Sequence, residues 1–294
     1  MRRYFGLLVV LAAVLGWARW ARGAPPEIID CHVHYKGNPA FLEKLAAKMD
    51  SVNGMAFVLT PPSEMAVVRA FIQKHPQRLI GFGEISLDDP HALEQVDRFQ
   101  AAGFRGLGEL TKSLKDLDDP SYWPIYERAD KYGMILLFHT GVLLRENPNI
   151  PSSFSSARLR VTTLDLIARK YPKTIVIGAH LGNPDYAWAA ELARWNPNLY
   201  FDVSGSTLQK KSDDYKFFKS VFWWSGVQGL AGPGPAPNAF EKLVFGSDIN
   251  SDTLEGFDQE RARYREMLKG CDVPSASQEA IFSGNLWRIL QRKR

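Results

Sequence analysis

The feature that most constrains the fold of this chain is an alternation that repeats eight times from residue 27 onward. Each repeat consists of a short apolar run, a loop and an amphipathic stretch with helical spacing. Apolar runs of four to eight residues that alternate with amphipathic stretches are typical of parallel strands joined by helices. The chain is therefore predicted to be an α/β protein with a single (β/α)8 TIM barrel.

The predicted strands are residues 28–34, 54–59, 79–85, 104–110, 134–139, 174–180, 199–203 and 243–248. The predicted helices are residues 39–50, 63–75, 90–102, 121–132, 157–171, 184–195, 213–224 and 254–269, and residues 275–290 add two short C-terminal helices outside the barrel. A doubly wound open sheet would show the same alternation. The first strand is not followed by Gly-x-Gly-x-x-Gly, so the main argument for a dinucleotide-binding sheet is missing.

The first 23 residues differ from the rest of the chain. Arg2 and Arg3 precede an apolar run over residues 5–17, and Ala21 and Gly23 supply the small residues of a cleavage site. This pattern predicts a signal peptide, with the barrel domain over residues 24–294 and a periplasmic or secreted location. An uncleaved N-terminal anchor is the alternative, and membrane attachment is expected only in that case.

The basic character of the chain resides in this leader. The formal charge is +4, and the leader carries four arginines and no acidic residue, so the mature chain is neutral. A neutral surface does not favour nucleic-acid binding. We expect a small-molecule substrate and no nucleic-acid partner, and a homo-oligomer is compatible with the sequence.

Two histidines in the first strand point to a metal site. On a regular strand Asp30, His32 and His34 share one face, while Cys31 faces the other way. The chain has six histidines, of which His139 and His180 also end apolar runs. Cys31 and Cys271 are expected at different places in the barrel, so we predict no disulfide between them.

Metal-capable side chains fall at the ends of five predicted strands. They are His32 and His34 in the first, Glu109 in the fourth, His139 in the fifth, His180 in the sixth and Asp248 in the eighth. The carboxyl ends of barrel strands meet at one rim, where such enzymes carry their sites. Imidazoles with a carboxylate suit Zn²⁺, with Mn²⁺ or Fe²⁺ as alternatives.

These residues lie in motifs that together resemble a known family. The motifs are Asp30-x-His32-x-His34, Phe-His139-Thr, Gly-Ala-His180-Leu-Gly, Phe-Gly-Ser-Asp248 and Gly284-Asn285-x-x-Arg288. In this order and spacing they resemble the amidohydrolase superfamily, most closely its amidohydrolase-related branch. That branch contains metal-dependent hydrolases and nonoxidative decarboxylases of carboxylated aromatic and related acids.

The resemblance implies a role for each residue. His32, His34, His139 and Asp248 correspond to metal-site residues, and His180 to a histidine that orients or deprotonates water whose pKa the metal lowers. Asp248 would serve as a ligand and a proton shuttle. Asp30 is expected to hold an imidazole tautomer by a hydrogen bond.

Glu109 leaves the metal count open. In binuclear members of the superfamily a carboxylated lysine or a glutamate from the fourth strand bridges two ions, and His180 would then be a ligand. We favour one metal ion. Glu84, which lies near the end of the third predicted strand, is a weaker candidate for the site.

The sequence constrains the reaction less than the site. Lys112 and Arg145 follow strands four and five and are candidates to bind a substrate carboxylate. The expected activity is hydrolysis of an amide, ester or lactone of a small molecule. Decarboxylation is the first alternative, and an inactive barrel that binds a metabolite or a partner is the second.

Overall fold

The computed structural model describes residues 24–292 except 146, 148, 212 and 223–238. Eight parallel strands form one sheet in which each strand pairs with the next in chain order. The segment after the eighth strand returns to the first, where His34 N donates to Ile249 O at 2.8 Å and Asp248 N donates to His32 O at 2.9 Å. The sheet is a nearly closed (β/α)8 barrel, which confirms the predicted fold.

The strands are β1 Ile28–His34, β2 Gly54–Thr60, β3 Leu79–Gly83, β4 Gly106–Leu110, β5 Ile135–Phe138, β6 Val176–Gly178, β7 Leu199–Asp202 and β8 Leu243–Val244. The helices are α1 Pro39–Ser51, α2 Met65–Lys74, α3 Ala92–Ala101, α4 Trp123–Lys131, α5 Thr163–Lys170, α6 Tyr186–Trp195, α7 Ser206–Gln209, α8 Tyr215–Phe222 and α9 Gly256–Gly270. Beyond the barrel lie α10 Ser275–Glu279 and α11 Asn285–Leu290, joined by a π-helical turn over Ala280–Gly284.

The apolar side chains of the strands divide into two cores. One core, which includes Ile29, Phe57 and Leu137, contains among the described residues side chains from seven strands and, of the helices, only α11. The other contains strand residues such as Val58 and Leu136 together with side chains of the surrounding helices. Since strand side chains alternate in direction, the first core fills the barrel and the second lies between barrel and helices.

The local sequence explains where helices begin and end. Asn38 caps α1 by accepting a hydrogen bond from Ala40 N at 3.1 Å, and Pro39 occupies the first turn, where its missing N–H costs nothing. Gly103 and Gly133 follow α3 and α4 with φ of +87° and +61°. Glycine adopts this left-handed conformation without steric cost, so both helices end there.

Apart from shorter strands, two features differ most clearly from the sequence-based expectation. The predicted helix 157–171 is broken: Ser156–Leu159 is a 3₁₀ turn, Arg160 is extended with ψ 136°, and α5 begins at Thr163. The predicted alternation along β1 also fails. Its pairing with β2 shifts register between Asp30 and Val33, and Cys31 packs in the barrel interior rather than facing outward.

Both cysteines are buried, and both are free, in agreement with the prediction that no disulfide joins them. Among the described residues, no helix combines the length and apolar character needed to cross a membrane. The predicted leader, residues 1–23, and the end of the predicted helix 213–224 lie outside the described residues.

Leu137→Ala is expected to lower the free energy of unfolding by about 2–5 kcal/mol, because Leu137 is fully buried in the barrel interior and its truncation leaves a cavity. Denaturant unfolding measures the change. Leu166→Ala on α5, where the side chain is 44% exposed, is the matched control and should cost less than about 0.5 kcal/mol. Equal losses in the two variants would contradict the assignment of Leu137 to the interior core.

Candidate metal centre

The carboxyl ends of the strands bring the predicted site residues together. His32 and His34 lie in β1 and Glu109 in β4, whereas His139 directly follows β5 and His180 lies two residues beyond β6. Asp248 lies four residues beyond β8. Within this cluster, two sets of three side chains have potential ligand atoms within 4.8 Å of one another; they are His32, Glu109 and His180, and His32, His34 and Asp248.

A carboxylate contacts each of the two histidines of β1. Nδ1 of His32 lies 3.0 Å from Asp202 Oδ2, and Nδ1 of His34 lies 2.9 Å from Glu84 Oε1. Because ionised carboxylates only accept hydrogen bonds, each imidazole carries a proton on Nδ1. When the rings are neutral, Nε2 of each therefore presents a lone pair.

These two Nε2 atoms face each other at 3.1 Å. Two lone pairs at that distance repel unless a proton or a metal cation lies between them. Zinc binds imidazole nitrogen at about 2.0–2.1 Å, so two nitrogens on one ion at right or tetrahedral angles are about 3 Å apart. Asp248 Oδ1 lies 3.5 Å from His32 Nε2 and 3.4 Å from His34 Nε2, so a carboxylate oxygen completes this donor set.

Glu109 lies at the centre of the cluster and is 7% exposed. Its Oε1 accepts from His139 Nδ1 at 2.9 Å and lies 3.7 Å from His32 Nε2 and 3.5 Å from His180 Nε2. Oε2 lies 3.8 Å from His34 Nε2. The structure thus places Glu109, which the sequence left as an uncertain ligand, next to all four histidines.

His139 occupies the edge of the cluster. Its Nδ1 contacts Glu109, and its Nε2 lies 3.4 Å from the carbonyl oxygen of Val142. In this arrangement the ring orients Glu109, and ligation by His139 would require one of these contacts to be given up.

His180 is held in one tautomer by its neighbours. Ser204 Oγ donates its only proton to Asp202 Oδ1 at 2.6 Å, so at 3.0 Å it must accept from His180 Nδ1. Nε2 of the neutral ring is left without a proton and faces Glu109 and the centre of the cluster. This is the geometry of a base aimed into the site.

Backbone strain accompanies this placement. His180 and Asp248 have left-handed φ values of +61° and +58°, which cost of order 1–3 kcal/mol each in residues other than glycine. The amide of His180 donates to Asp202 Oδ1 at 2.9 Å, and the amide of Asp248 donates to the His32 carbonyl at 2.9 Å. These hydrogen bonds maintain the strained conformations at the site.

Sequence reasoning missed Asp202, the last residue of β7. This fully buried carboxylate accepts from His32 Nδ1, from the amides of His180 and Ser204, and from Ser204 Oγ. One side chain therefore orients a candidate metal ligand and the candidate base. The available signal was an acidic residue that ends an otherwise apolar strand, immediately before Val203 and Ser204.

Asp30 differs from its expected role. Its carboxylate accepts from the His32 backbone amide at 3.0 Å and from Ser247, whose N and Oγ lie at 3.0 and 2.5 Å. The carboxylate precedes the irregularity in β1 and ties that strand to the segment after β8. Asp202 and Glu84 instead make the imidazole contacts predicted for Asp30, and burial raises the pKa of Asp30 to about 7.

The electrostatics of the cluster favour a bound cation. Burial opposes ionisation of Glu109, but neighbouring His139 and His32 outweigh it and hold the pKa of this carboxyl well below its usual range. Burial likewise opposes protonation of His34, yet Asp248 and Glu84 raise its pKa to about 10. Ionised carboxylates thus draw positive charge into the site, and a divalent ion would supply it.

Lys112 and Arg145, the two residues predicted to bind a substrate carboxylate, are not part of the cluster. Lys112 is exposed two residues beyond β4. Arg145 is exposed and donates from Nη2 to Ile150 O in the same loop at 3.4 Å. Their role in substrate binding stays a prediction.

The fold and the cluster define a TIM-barrel protein with a candidate centre for a divalent metal. A family model described as amidohydrolase matches residues 29–291, and the chain belongs to this family. This confirms the resemblance seen in the motifs, and membership of the family implies a divalent metal. The comparison with curated proteins found no match.

Solved structures share the fold at low sequence identity. A probable 2-pyrone-4,6-dicarboxylic acid hydrolase from Acinetobacter baumannii has a TM-score of 0.59 and 15% identity, over 90% of this chain and 100% of that one. The 5-carboxyvanillate decarboxylase of Sphingomonas paucimobilis has a TM-score of 0.56 and 13% identity, over 91% and 99%. A 2,6-dihydroxybenzoate decarboxylase from Rhizobium has a TM-score of 0.57 and 14% identity, over 90% and 99%.

Proposed function

We propose that this chain is a metal-dependent hydrolase that cleaves an amide, ester or lactone of a small molecule. The observation that carries the proposal is the His32–His34 pair, whose Nε2 atoms converge at 3.1 Å beside Asp248 and beside the base-like His180. The residues that would hold the ion are His32, His34 and Asp248, with Glu109 adjacent. A divalent ion bound there would lower the pKa of water and polarise a substrate carbonyl.

The protein side chains then handle the protons. His180 Nε2 accepts a proton from the water that attacks the carbonyl carbon, and Asp202 and Ser204 hold the ring in position. The bond from that carbon to nitrogen or oxygen breaks, and the leaving atom takes up the proton. Asp248, which is 31% exposed, lies at the open side of the cluster, where it can take this proton from protonated His180 and pass it to the leaving group.

His180 must be neutral to act as this base. Burial lowers its pKa, but contact with Glu109 outweighs burial and raises the pKa to about 9. A divalent ion beside Glu109 would offset the carboxylate charge and lower the pKa of His180 towards neutrality. The proposal therefore links the base function of His180 to occupancy of the centre.

Decarboxylation is a second candidate, favoured by the shared fold with two decarboxylases. A substrate screen on zinc-loaded and manganese-loaded protein separates the two reactions. Acid release from esters, lactones or amides, with no CO2 from carboxylated aromatic acids, supports hydrolysis. Release of CO2 without hydrolysis would replace the proposal by decarboxylation, and no turnover of either set would favour a binding barrel.

Export through a cleaved leader belongs to the same proposal. Mass spectrometry of the protein from the native compartment is expected to find a mature N-terminus near Ala24, because Ala21 and Gly23 are small residues after an apolar run. Arg3→Glu in the positively charged segment should reduce export. An intact N-terminus on membrane-bound protein would show that residues 1–23 are an anchor.

A further inference from the structure

Exposed apolar side chains are concentrated beside the candidate metal centre. Nine large hydrophobic side chains are exposed among the described residues, and five of them lie in the loops that follow β4 and β5. We call residues 111–119 and the described residues of 139–162, which leave out 146 and 148, the rim loops. Their exposed apolar residues are Leu114, Val142, Leu144, Ile150 and Phe154.

The backbone that carries two of these side chains is firmly anchored. Gly141 N donates to Leu159 O at 2.8 Å, Val142 N to Asn183 O at 3.1 Å and Leu143 N to Ser156 Oγ at 2.9 Å. Leu143 packs against the core, whereas Val142 is 55% and Leu144 84% exposed. An anchored segment thus presents two apolar side chains to solvent.

This segment is continuous with the centre. The carbonyl oxygen of Val142 lies 3.4 Å from His139 Nε2, and the other ring nitrogen of His139 contacts Glu109. One imidazole ring therefore separates the backbone of Val142 from Glu109.

The two rim loops also contact each other. Arg158 Nη1 donates to Ser153 O at 2.9 Å and to Ser113 O at 3.5 Å. Phe154 and Leu114 follow these two serines directly, so the bridge brings both apolar residues to the same part of the rim. Both loops therefore contribute exposed apolar side chains to this rim of the barrel.

We propose that the rim loops bind an apolar acyl or aryl group of the substrate, which rests on the proposed hydrolysis. Burial of apolar surface against Val142 and Leu144 favours such a group there, while Lys112 and Arg145 of the same loops stay candidates to bind a carboxylate elsewhere on the substrate. The position of these apolar residues favours a substrate group over a partner protein, because Val142 contacts His139 of the centre. The substrate class is an ester, amide or lactone with an alkyl or aryl group on its carbonyl side.

The test is a series of straight-chain acyl esters from two to eight carbons, assayed on zinc-loaded protein. We expect kcat/KM to rise about two- to fourfold per added methylene, as expected for partial to full burial of each group. Leu144→Ser and Val142→Thr should flatten the series, so that kcat/KM differs less between the two-carbon and eight-carbon esters than in the wild type. Leu166→Ser, an exposed leucine on α5, is the control and should retain the slope.

A binding assay with straight-chain carboxylates of the same lengths tests the apolar subsite independently of the proposed hydrolysis. If no ester is hydrolysed but carboxylate affinity rises with length in the wild type and not in Leu144→Ser, the apolar subsite stands and the proposed hydrolysis fails. Flat affinity and flat kcat/KM in the wild type would overturn the subsite. It would also be overturned if Leu144→Ser only dissociated a dimer or abolished vesicle binding without changing the chain-length dependence.

Discussion

His180→Asn is expected to lower kcat/KM for hydrolysis by about 10²- to 10⁴-fold while the protein retains its metal. The asparagine amide can still donate to Ser204 Oγ, which accepts from His180 Nδ1 at 3.0 Å in the wild type. It lacks the Nε2 lone pair that faces the centre. Steady-state kinetics on variant and wild type at equal metal content measure the loss.

Ser204→Ala is the matched control for this prediction. It preserves the His180 base but removes the hydrogen bond that fixes its tautomer, so a smaller loss and a shifted pH profile are expected. Loss of metal from His180→Asn in proportion to activity would contradict the assignment. His180 would then be a ligand together with His32 and Glu109, whose ligand atoms lie within the same 4.8 Å group.

Asp202→Asn is expected to weaken metal binding by about 10- to 100-fold. It should also lower the free energy of unfolding by about 2–5 kcal/mol, since hydrogen bonds to a buried charge are lost and an amide faces donors on both sides. Asp202 accepts from His32, His180 and Ser204, so the substitution disturbs a ligand and the base together. Metal titration and denaturant unfolding measure the two effects.

Asp258→Asn provides a surface control. Asp258 is 52% exposed and pairs with Lys48 at 2.8 Å, so its loss should cost less than about 1 kcal/mol and leave metal affinity unchanged. Wild-type metal affinity in Asp202→Asn would show that this carboxylate supports the fold and not the centre.

The sequence predicted the parts of the site that depend on topology. Parallel strands deliver their carboxyl ends to one rim, so His32, Glu109, His139, His180 and Asp248 could be placed together before any coordinates were known. Contacts within the rim could not be derived in this way. Whether His139 binds a metal or orients Glu109 depends on side-chain directions, and the structure shows the Glu109 contact.

Local irregularities account for the remaining differences. Strict alternation predicted that Cys31 faces outward, but the register shift in β1 places it in the barrel interior. The same irregularity separates Asp30 from the imidazoles. Asp202 could not be identified from the sequence, because the role of a buried acid depends on its hydrogen-bond partners. Its partner His32 lies 170 residues away in the chain.

The sequence of the predicted helix 157–171 has helical periodicity throughout, yet the helix is interrupted at Arg160, where the backbone is extended. Tertiary contacts explain the break. Leu159 O accepts from Gly141 N, and Arg160 Nη2 contacts Asp116 Oδ2 at 3.0 Å. These contacts with other parts of the rim loops hold the segment in a conformation that is not α-helical. Periodicity does not reveal such contacts.

The central claim is that His32 and His34 bind a metal ion, and elemental analysis of protein purified without chelator tests it most directly. We expect about one equivalent of zinc, manganese or iron per chain in the wild type, because His32, His34 and Asp248 supply the three protein ligands typical of a mononuclear catalytic site. The ion should be lost in the double variant His32→Ala/His34→Ala and retained in His91→Ala, an exposed histidine outside the cluster. Two equivalents would add Glu109 and His180 as ligands of a second ion. Wild-type protein that contains no metal and binds none after incubation with zinc or manganese would contradict the account.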